Sequence, residues 1–375
     1  NLEITSWPEL IGKYMVKENN LVIVGTYGKT SITALIVKIL HDSGFDPTYM
    51  IGDPVPDLAD HTYLGNSDFS VFEGDEHPTL GYSTQPKFSY FPPKYLLITS
   101  AIWDHFNIYK TEEEFVNVFK NLVKNIPEDG WVVASNHHSL SFVKELAKCS
   151  VYVYGEKDAD YLYEYKREVP TKVRISGKLN LKLESKLIGK HNVENLLAAS
   201  TACSLMGVAD EKIIQAVKDF RGPINRLQET WRKSENAIYK DVGQHPLKAK
   251  GAIDGLKEWF PDHQLTVVLD PHASVYKTRE VLNFLPQGFR NADRVLVSRI
   301  NLNGVNKEDR VSGAEIVEIF IKSGISAEYI PDEEILIDKI VIDLRNKKSN
   351  VLILSSGGFN NVPNRIIDKL NNDGN

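Results

Sequence analysis

Leu21-Val22-Ile23-Val24-Gly25-Thr26-Tyr27-Gly28-Lys29-Thr30-Ser31 is the stretch whose reading decides the fold. Its four apolar residues, two of them valine, predict a short buried strand. A turn with two glycines follows. Ile32, Leu35, Ile36, Ile39 and Leu40 then recur at helical spacing, and Gly44 stands where a helix C-terminal cap is expected. Strand, glycine turn, Lys-Thr and helix together make a phosphate cradle, because glycines let the backbone wrap the phosphates while N–H groups and the helix N-terminus favour negative charge. In this reading Gly25, Thr26, Gly28, Lys29, Thr30 and Ser31 bind a nucleotide, Lys29 reaches the outer phosphates and the Thr30 hydroxyl holds Mg²⁺. The longer P-loop pattern asks for glycine at position 23, where Ile23 stands, so only the short form G-T-x-G-K-T/S is present. The plainer alternative is an ordinary β–turn–α unit.

Two further strands are expected to end in chemistry. Phe69–Phe72 runs into Glu73-Gly74-Asp75-Glu76-His77, and Tyr95–Ile98 runs into Thr99-Ser100-Ala101-Ile102-Trp103-Asp104-His105. α/β sheets place ligands at the carboxyl ends of their strands, and Mg²⁺ bound with phosphates needs one or two protein carboxylates. Beside a P-loop the two strand ends suggest a two-metal phosphoryl-transfer site. Alone, each would read as a solvated loop.

Composition sets the limits around this site. The 375 residues are long enough for two or three domains. With 25% charged and 42% hydrophobic residues, the chain reads as an ordinary globular protein. A net charge of −6 argues against general nucleic-acid or membrane-surface binding. Cys149 and Cys203 give neither metal spacing nor a disulfide framework, which suits a reducing cytoplasm. No apolar run approaches membrane-spanning length.

The expected fold class is α/β: a central P-loop ATPase domain with a mostly parallel sheet, plus a smaller, doubly wound, Rossmann-like C-terminal domain. Residues 1–20 read as a lead-in with a short helix around Pro8–Val16, 21–222 as the central domain and 223–375 as the second domain, the boundary falling at Phe220-Arg221-Gly222-Pro223 and closed by Arg226. The central domain is expected to continue with a helix over Glu112–Asn125, strands at Trp131–Ala134 and Val151–Tyr154, a helix near Ser141–Ala147 and a hairpin within 171–187. A helix follows Ile188-Gly189-Lys190-His191-Asn192-Val193-Glu194-Asn195. In the second domain strands are expected at Ala237–Val242, Leu265–Leu269, Arg294–Ser298 and Val351–Leu354. Helices are expected at Leu247–Trp259, Lys277–Leu285, Gly313–Lys322 and Ile335–Arg345.

Taken in order, Gly25-Thr26-Tyr27-Gly28-Lys29-Thr30, Glu73-Gly74-Asp75-Glu76, Asp104-His105, Gly189 to Asn195, Arg226 and Asp241-Val242-Gly243-Gln244-His245-Pro246 resemble the Mur ligase superfamily of ATP-dependent amide-bond-forming enzymes. The acidic block, Pro86-Lys87-Phe88 and Ile102-Trp103-Asp104-His105 look most like the murein-peptide ligase branch, which joins UDP-N-acetylmuramate to L-Ala-γ-D-Glu-meso-diaminopimelate. The branch that adds L-alanine to UDP-N-acetylmuramate is the runner-up. The resemblance implies ATP and Mg²⁺ as cofactors and an acyl-phosphate route. By this resemblance Lys29, Glu73, His105 and His191 are catalytic, Thr30, Glu73 and His105 are metal ligands, and Asn192, Asn195, Arg226 and Asp241 bind nucleotide, the last two on domain closure. It also implies an N-terminal UDP-binding domain of ~100 residues, so the chain is expected to be a fragment that lacks it.

Departures from the family pattern are Ser100 and Ile102, where relatives usually carry Asn and often Glu, and Gln244 in place of a common His. They leave open a non-catalytic nucleotide-binding relative. Folate polyglutamylation is a third reading, and no motif identifies a pterin pocket. Asp270-Pro271-His272 is a candidate for the amine substrate, and Lys120 for a carbamylated metal-binding lysine, its alternative being a solvent-facing side chain.

Overall fold

The computed structural model describes residues 4–79, 81–105, 108–243, 245–272, 274–277, 279–302, 308, 310–346 and 348–372. Gln244 lies outside them. The chain separates into two compact units, one running to Leu187 and resuming over His191–Ile224, the other comprising Ile188–Lys190 and the chain from Asn225 onward. Among the described residues no helix is long and apolar enough to cross a membrane.

The first unit carries helices α1 (Trp7–Tyr14), α2 (Lys29–Asp42), α3 (Glu112–Lys124), α4 (Val143–Leu146), α5 (Lys190–Leu205) and α6 (Asp210–Asp219). Its strands are β1 (Asn19–Val24), β2 (Thr48–Met50), β3 (Thr62–Tyr63), β4 (Phe69–Glu73), β5 (Tyr95–Ile98), β6 (Trp131–Ser135), β7 (Ser150–Gly155), β8 (Tyr161–Lys166), β9 (Thr171–Gly177) and β10 (Leu181–Ser185). They form one sheet in the order β10-β9-β8-β7-β6-β5-β1-β4-β2-β3, parallel from β7 and β8 through to β2 and antiparallel at both margins. The apolar run of β1 is fully buried because the strand lies mid-sheet, covered on both faces. Its neighbours β4 and β5 arrive from opposite sides, Ile23 pairing with Glu73 and Val24 with Ile98. Chain order reverses across β1, so three carboxyl ends converge at a topological switch point. Behind it α3 buries Phe115, Phe119, Leu122 and Val123 against β5 and β6. Its start is fixed by the Thr111 hydroxyl, which accepts from the Glu114 amide at 3.2 Å.

In the second unit a six-stranded sheet runs β11 (Gln228–Lys233), β12 (Asn236–Asp241), β16 (Ser349–Leu354), β13 (Gln264–Leu269), β14 (Arg294–Val297) and β15 (Ala327–Tyr329), parallel apart from β11. Helices α7 (Pro246–Trp259), α8 (Leu285–Phe289), α9 (Gly313–Lys322), α10 (Glu333–Asn346) and α11 (Val362–Asn372) complete the doubly wound arrangement. The helix expected over Lys277–Leu285 is not formed. Short 3₁₀ turns occupy Ser274–Lys277 and Arg279–Asn283, and α8 begins at Leu285 instead, since Pro286 fits a first helical turn and no later position. The helix near Ser141–Ala147 is likewise a single turn, α4, behind a 3₁₀ turn.

Candidate active site

The P-loop turn needs its glycines. Gly25 has φ +125°, and a Cβ there would lie 2.2 Å from Thr99 Oγ1 and 2.9 Å from the Ser100 backbone nitrogen. Gly28 has φ +79°, and a Cβ would lie 2.5 Å from Asn195 Oδ1 of α5. The loop is tied to the end of β5 by side chains. Thr26 Oγ1 donates to the Ile102 carbonyl at 2.7 Å and accepts from the Ile102 amide at 3.0 Å, while Thr99 Oγ1 donates to the Tyr27 carbonyl at 2.7 Å.

Charges meet inside this frame. Thr30 Oγ1 donates to Glu73 Oε1 at 2.8 Å, and the other Glu73 oxygen accepts from the Gly52 amide at 2.7 Å. Lys29 Nζ donates to the Gly25 carbonyl at 2.7 Å and to Glu76 Oε2 at 2.6 Å, and Glu76 Oε1 lies 3.3 Å from His105 Nε2. Burial alone would raise the Glu76 carboxyl, but the Lys29 charge and the His105 contact hold it down at about 2. Burial would likewise lower the Lys29 ammonium, and Glu76 outweighs it, so the net shift is upward. His105 sits at φ +59°, a backbone state that side chains other than glycine rarely take. Its amide donates to Asp104 Oδ1 at 2.8 Å, and its ring meets His77 edge-on at 5.3 Å. Tyr109, unnoticed in the sequence, pins the acidic loop by donating its hydroxyl to the Glu76 carbonyl at 2.5 Å.

Lys29, Thr30, Glu73 and His105 are therefore gathered at one end of the first unit's sheet. Asn192 and Asn195 join from α5, hydrogen-bonded to each other at 3.3 Å, with His191 half-buried in the same first turn. The Thr30 hydroxyl and Glu73 carboxylate are hard oxygen donors that suit Mg²⁺, which keeps most of its shell for phosphate and water. Among the described residues no three His, Cys, Asp or Glu side chains are grouped to hold a metal by themselves. Glu76 is the residue that sequence reasoning left without a role: it stood in the acidic run, and no pattern says which carboxylate turns toward the lysine. Lys120 stands with its ammonium 5.9 Å from the centre of the Phe142 ring, half-buried rather than free in solvent.

Arg226 and Asp241 belong to the second unit. Asp241 accepts from the Leu227 amide at 2.8 Å and the Gly243 amide at 2.9 Å, and burial raises its carboxyl despite the Arg226 charge. In that unit a cavity of about 890 Å³ opens at the carboxyl ends of β13, β14 and β15, lined in part by Asp270, His272, Ser298, Arg299 and Arg365. The Asp270 carboxyl is raised by burial and accepts from the Ser355 hydroxyl at 2.7 Å. Arg365 is committed to Glu333 and Glu334, while exposed Arg299 has no ion-pair partner among the described residues.

Known proteins share this fold. Residues 23–203 match the Mur ligase middle domain. The UDP-N-acetylmuramate–L-alanine ligase of Desulfitobacterium hafniense is 26% identical over 336 residues, 88% of this chain and 73% of that protein. Among solved structures, the UDP-N-acetylmuramate–alanine ligase of Thermotoga maritima superposes with a TM-score of 0.77 at 22% identity, over 98% of this chain and 78% of that one. A murein peptide ligase from Psychrobacter arcticus gives 0.70 at 21%, over 99% and 81%. Over residues 23–203 the chain is thus similar to the Mur ligase middle domain, and over most of its length to ligases that act on UDP-N-acetylmuramate.

Proposed function

We propose that the protein uses ATP to join the carboxylate of UDP-N-acetylmuramate to an amine through an acyl phosphate. The substrate carboxylate attacks the γ-phosphorus, ADP leaves, and the amine then displaces phosphate from the acyl carbon to leave an amide. The observation that carries the reading is the cradle in which Lys29, Thr30, Glu73 and His105 converge on the end of β1. Phosphoryl transfer asks a protein for positioning and charge neutralisation more than for covalent help. Lys29 and the loop amides would hold the outer phosphates. Thr30, Glu73 and His105 would hold Mg²⁺, which supplies charge neutralisation at the γ-phosphate. Asn192 and Asn195 would face the nucleotide with His191 beside them, and Arg226 and Asp241 would read phosphate and ribose.

Two amines are supported by different observations. L-alanine is favoured by the curated relatives, which are named for it. A longer amine such as L-Ala-γ-D-Glu-meso-diaminopimelate is favoured by the 890 Å³ cavity, near the top of the roughly 300–1,000 Å³ range of small-molecule sites. The test is amine-dependent phosphate release by the full-length protein with ATP, Mg²⁺ and UDP-N-acetylmuramate, supplying each amine separately. Turnover with one amine alone assigns the substrate. ATP binding without release in either reaction rejects UDP-N-acetylmuramate as the acid and leaves another acid substrate or a non-catalytic nucleotide-binding relative.

A further inference from the structure

Lysine carries three N–H donors and no acceptor. In Lys29 two are spent inside the protein, on the Gly25 carbonyl at 2.7 Å and on Glu76 Oε2 at 2.6 Å, and the third has no acceptor among the described residues. Two fixed bonds from one tetrahedral nitrogen determine the direction of the third. Glu76 is itself fixed: its side chain is 1% exposed, its carbonyl is held by the Tyr109 hydroxyl, and its second oxygen faces His105 at 3.3 Å. A bridging carboxylate thus links the lysine at the start of α2 to the imidazole after β5.

From this geometry we infer that Glu76 is a positioning residue: it aims the remaining Lys29 N–H into the P-loop cradle and sets His105 against the same carboxylate. The nucleotide then meets a lysine already oriented, so the ordering cost of a long flexible side chain is not charged to binding. The alternative role for a buried lysine–glutamate pair is a brake, in which the carboxylate competes with phosphate for the ammonium. Against the brake stands the donor count, since phosphate can take the third N–H without displacing Glu76. The inference rests on the proposed nucleotide-binding role of the cradle, though not on the identity of either substrate.

The test is calorimetric titration of ADP into the full-length protein in EDTA, which reads the lysine without metal or turnover. Glu76→Ala is expected to weaken ADP about 10- to 100-fold, the scale of one charge-assisted hydrogen bond. Formate, which fits the space left by the removed carboxylate, is expected to restore most of that loss. Glu76→Gln keeps an acceptor oxygen without the charge, and an intermediate affinity is expected of it. It also decides the matter should the alanine variant fail to fold. Tighter or unchanged ADP binding in either folded variant overturns the inference, as does a loss in Glu76→Ala that formate leaves untouched. Wild-type protein that binds ADP but releases no phosphate with UDP-N-acetylmuramate and either amine would reject that substrate reading while leaving this comparison legible.

Discussion

The two sheets end in sites of opposite character. At the end of β1 the acidic and basic groups are already engaged: Thr30 with Glu73, Lys29 with Glu76, Glu76 with His105, and Thr26 with the backbone at Ile102. At the ends of β13 to β15 a wide cavity leaves Arg299 exposed, and the Ser298 hydroxyl, 3% exposed, has no hydrogen-bond partner among the described residues. The first arrangement suits chemistry that is the same whatever is joined, where pre-set charge costs no reorganisation during reaction. The second suits recognition of a guest that brings its own polar groups. On the proposed reading, engaged charge accompanies the part of the reaction common to every amine, and open space the part that varies.

The strongest way to break that contrast is to remove a charge from the rigid side. Lys29→Ala is expected to lower kcat/KM for amine-dependent phosphate release by on the order of 10³-fold, as for loss of a cation from a phosphoryl-transfer site. It also leaves Glu76 buried without its lysine, which costs about 3–5 kcal/mol of stability by the precedent of broken buried pairs. Denaturant unfolding of the variant measures that second effect. A variant that turned over normally would mean the P-loop lysine is not part of the machinery.

How much of this was legible in the sequence depends on where the information lay. Strands of continuous apolar residues, such as Leu21–Val24 and Tyr95–Ile98, are readable because burial on both faces leaves no choice of residue type. The helix Gly313–Lys322 was readable because Ser312 and Glu315 form a capping box. The expected helix at Lys277–Leu285 is replaced by 3₁₀ turns, and α8 starts at Leu285, where Pro286 fits the first turn. β8 carries a period-2 signal, since Tyr161, Tyr163 and Tyr165 alternate along it. The cradle could be read because Gly25 and Gly28 are demanded by backbone geometry, whereas the turn of Glu76 toward Lys29 is set by tertiary packing around Tyr109, which no local pattern encodes.

A pair of glycine substitutions sharpens the same contrast at smaller scale. Gly25→Ala forces φ +125° on an L-residue and drives its Cβ onto Thr99 Oγ1 and the Ser100 backbone. The expected cost is about 1–3 kcal/mol, with weakened nucleotide binding, because the loop must distort. Gly358, which lines the cavity in the second unit, has φ −73° and nothing within 4 Å of an added Cβ. Gly358→Ala should therefore change the unfolding midpoint little. Equal losses in the two variants, measured by thermal and denaturant unfolding, would deny that the first site is the tighter one.

The smallest effect is expected where the structure is loosest. Arg299 projects from the segment after β14, exposed and without an ion-pair partner among the described residues. If the cavity takes the amine substrate, this guanidinium is placed to meet a carboxylate on it, and its removal should raise KM for the amine about 10-fold. ADP affinity should stay at the wild-type value, since Arg299 is not among the residues proposed to hold the nucleotide. Arg299→Ala therefore separates the two halves of the reaction in one protein, through steady-state kinetics with the amine varied and calorimetry with ADP. An unchanged KM would remove Arg299 from substrate recognition. A weakened ADP affinity would mean that the division between a rigid nucleotide site and an open amine site is drawn in the wrong place.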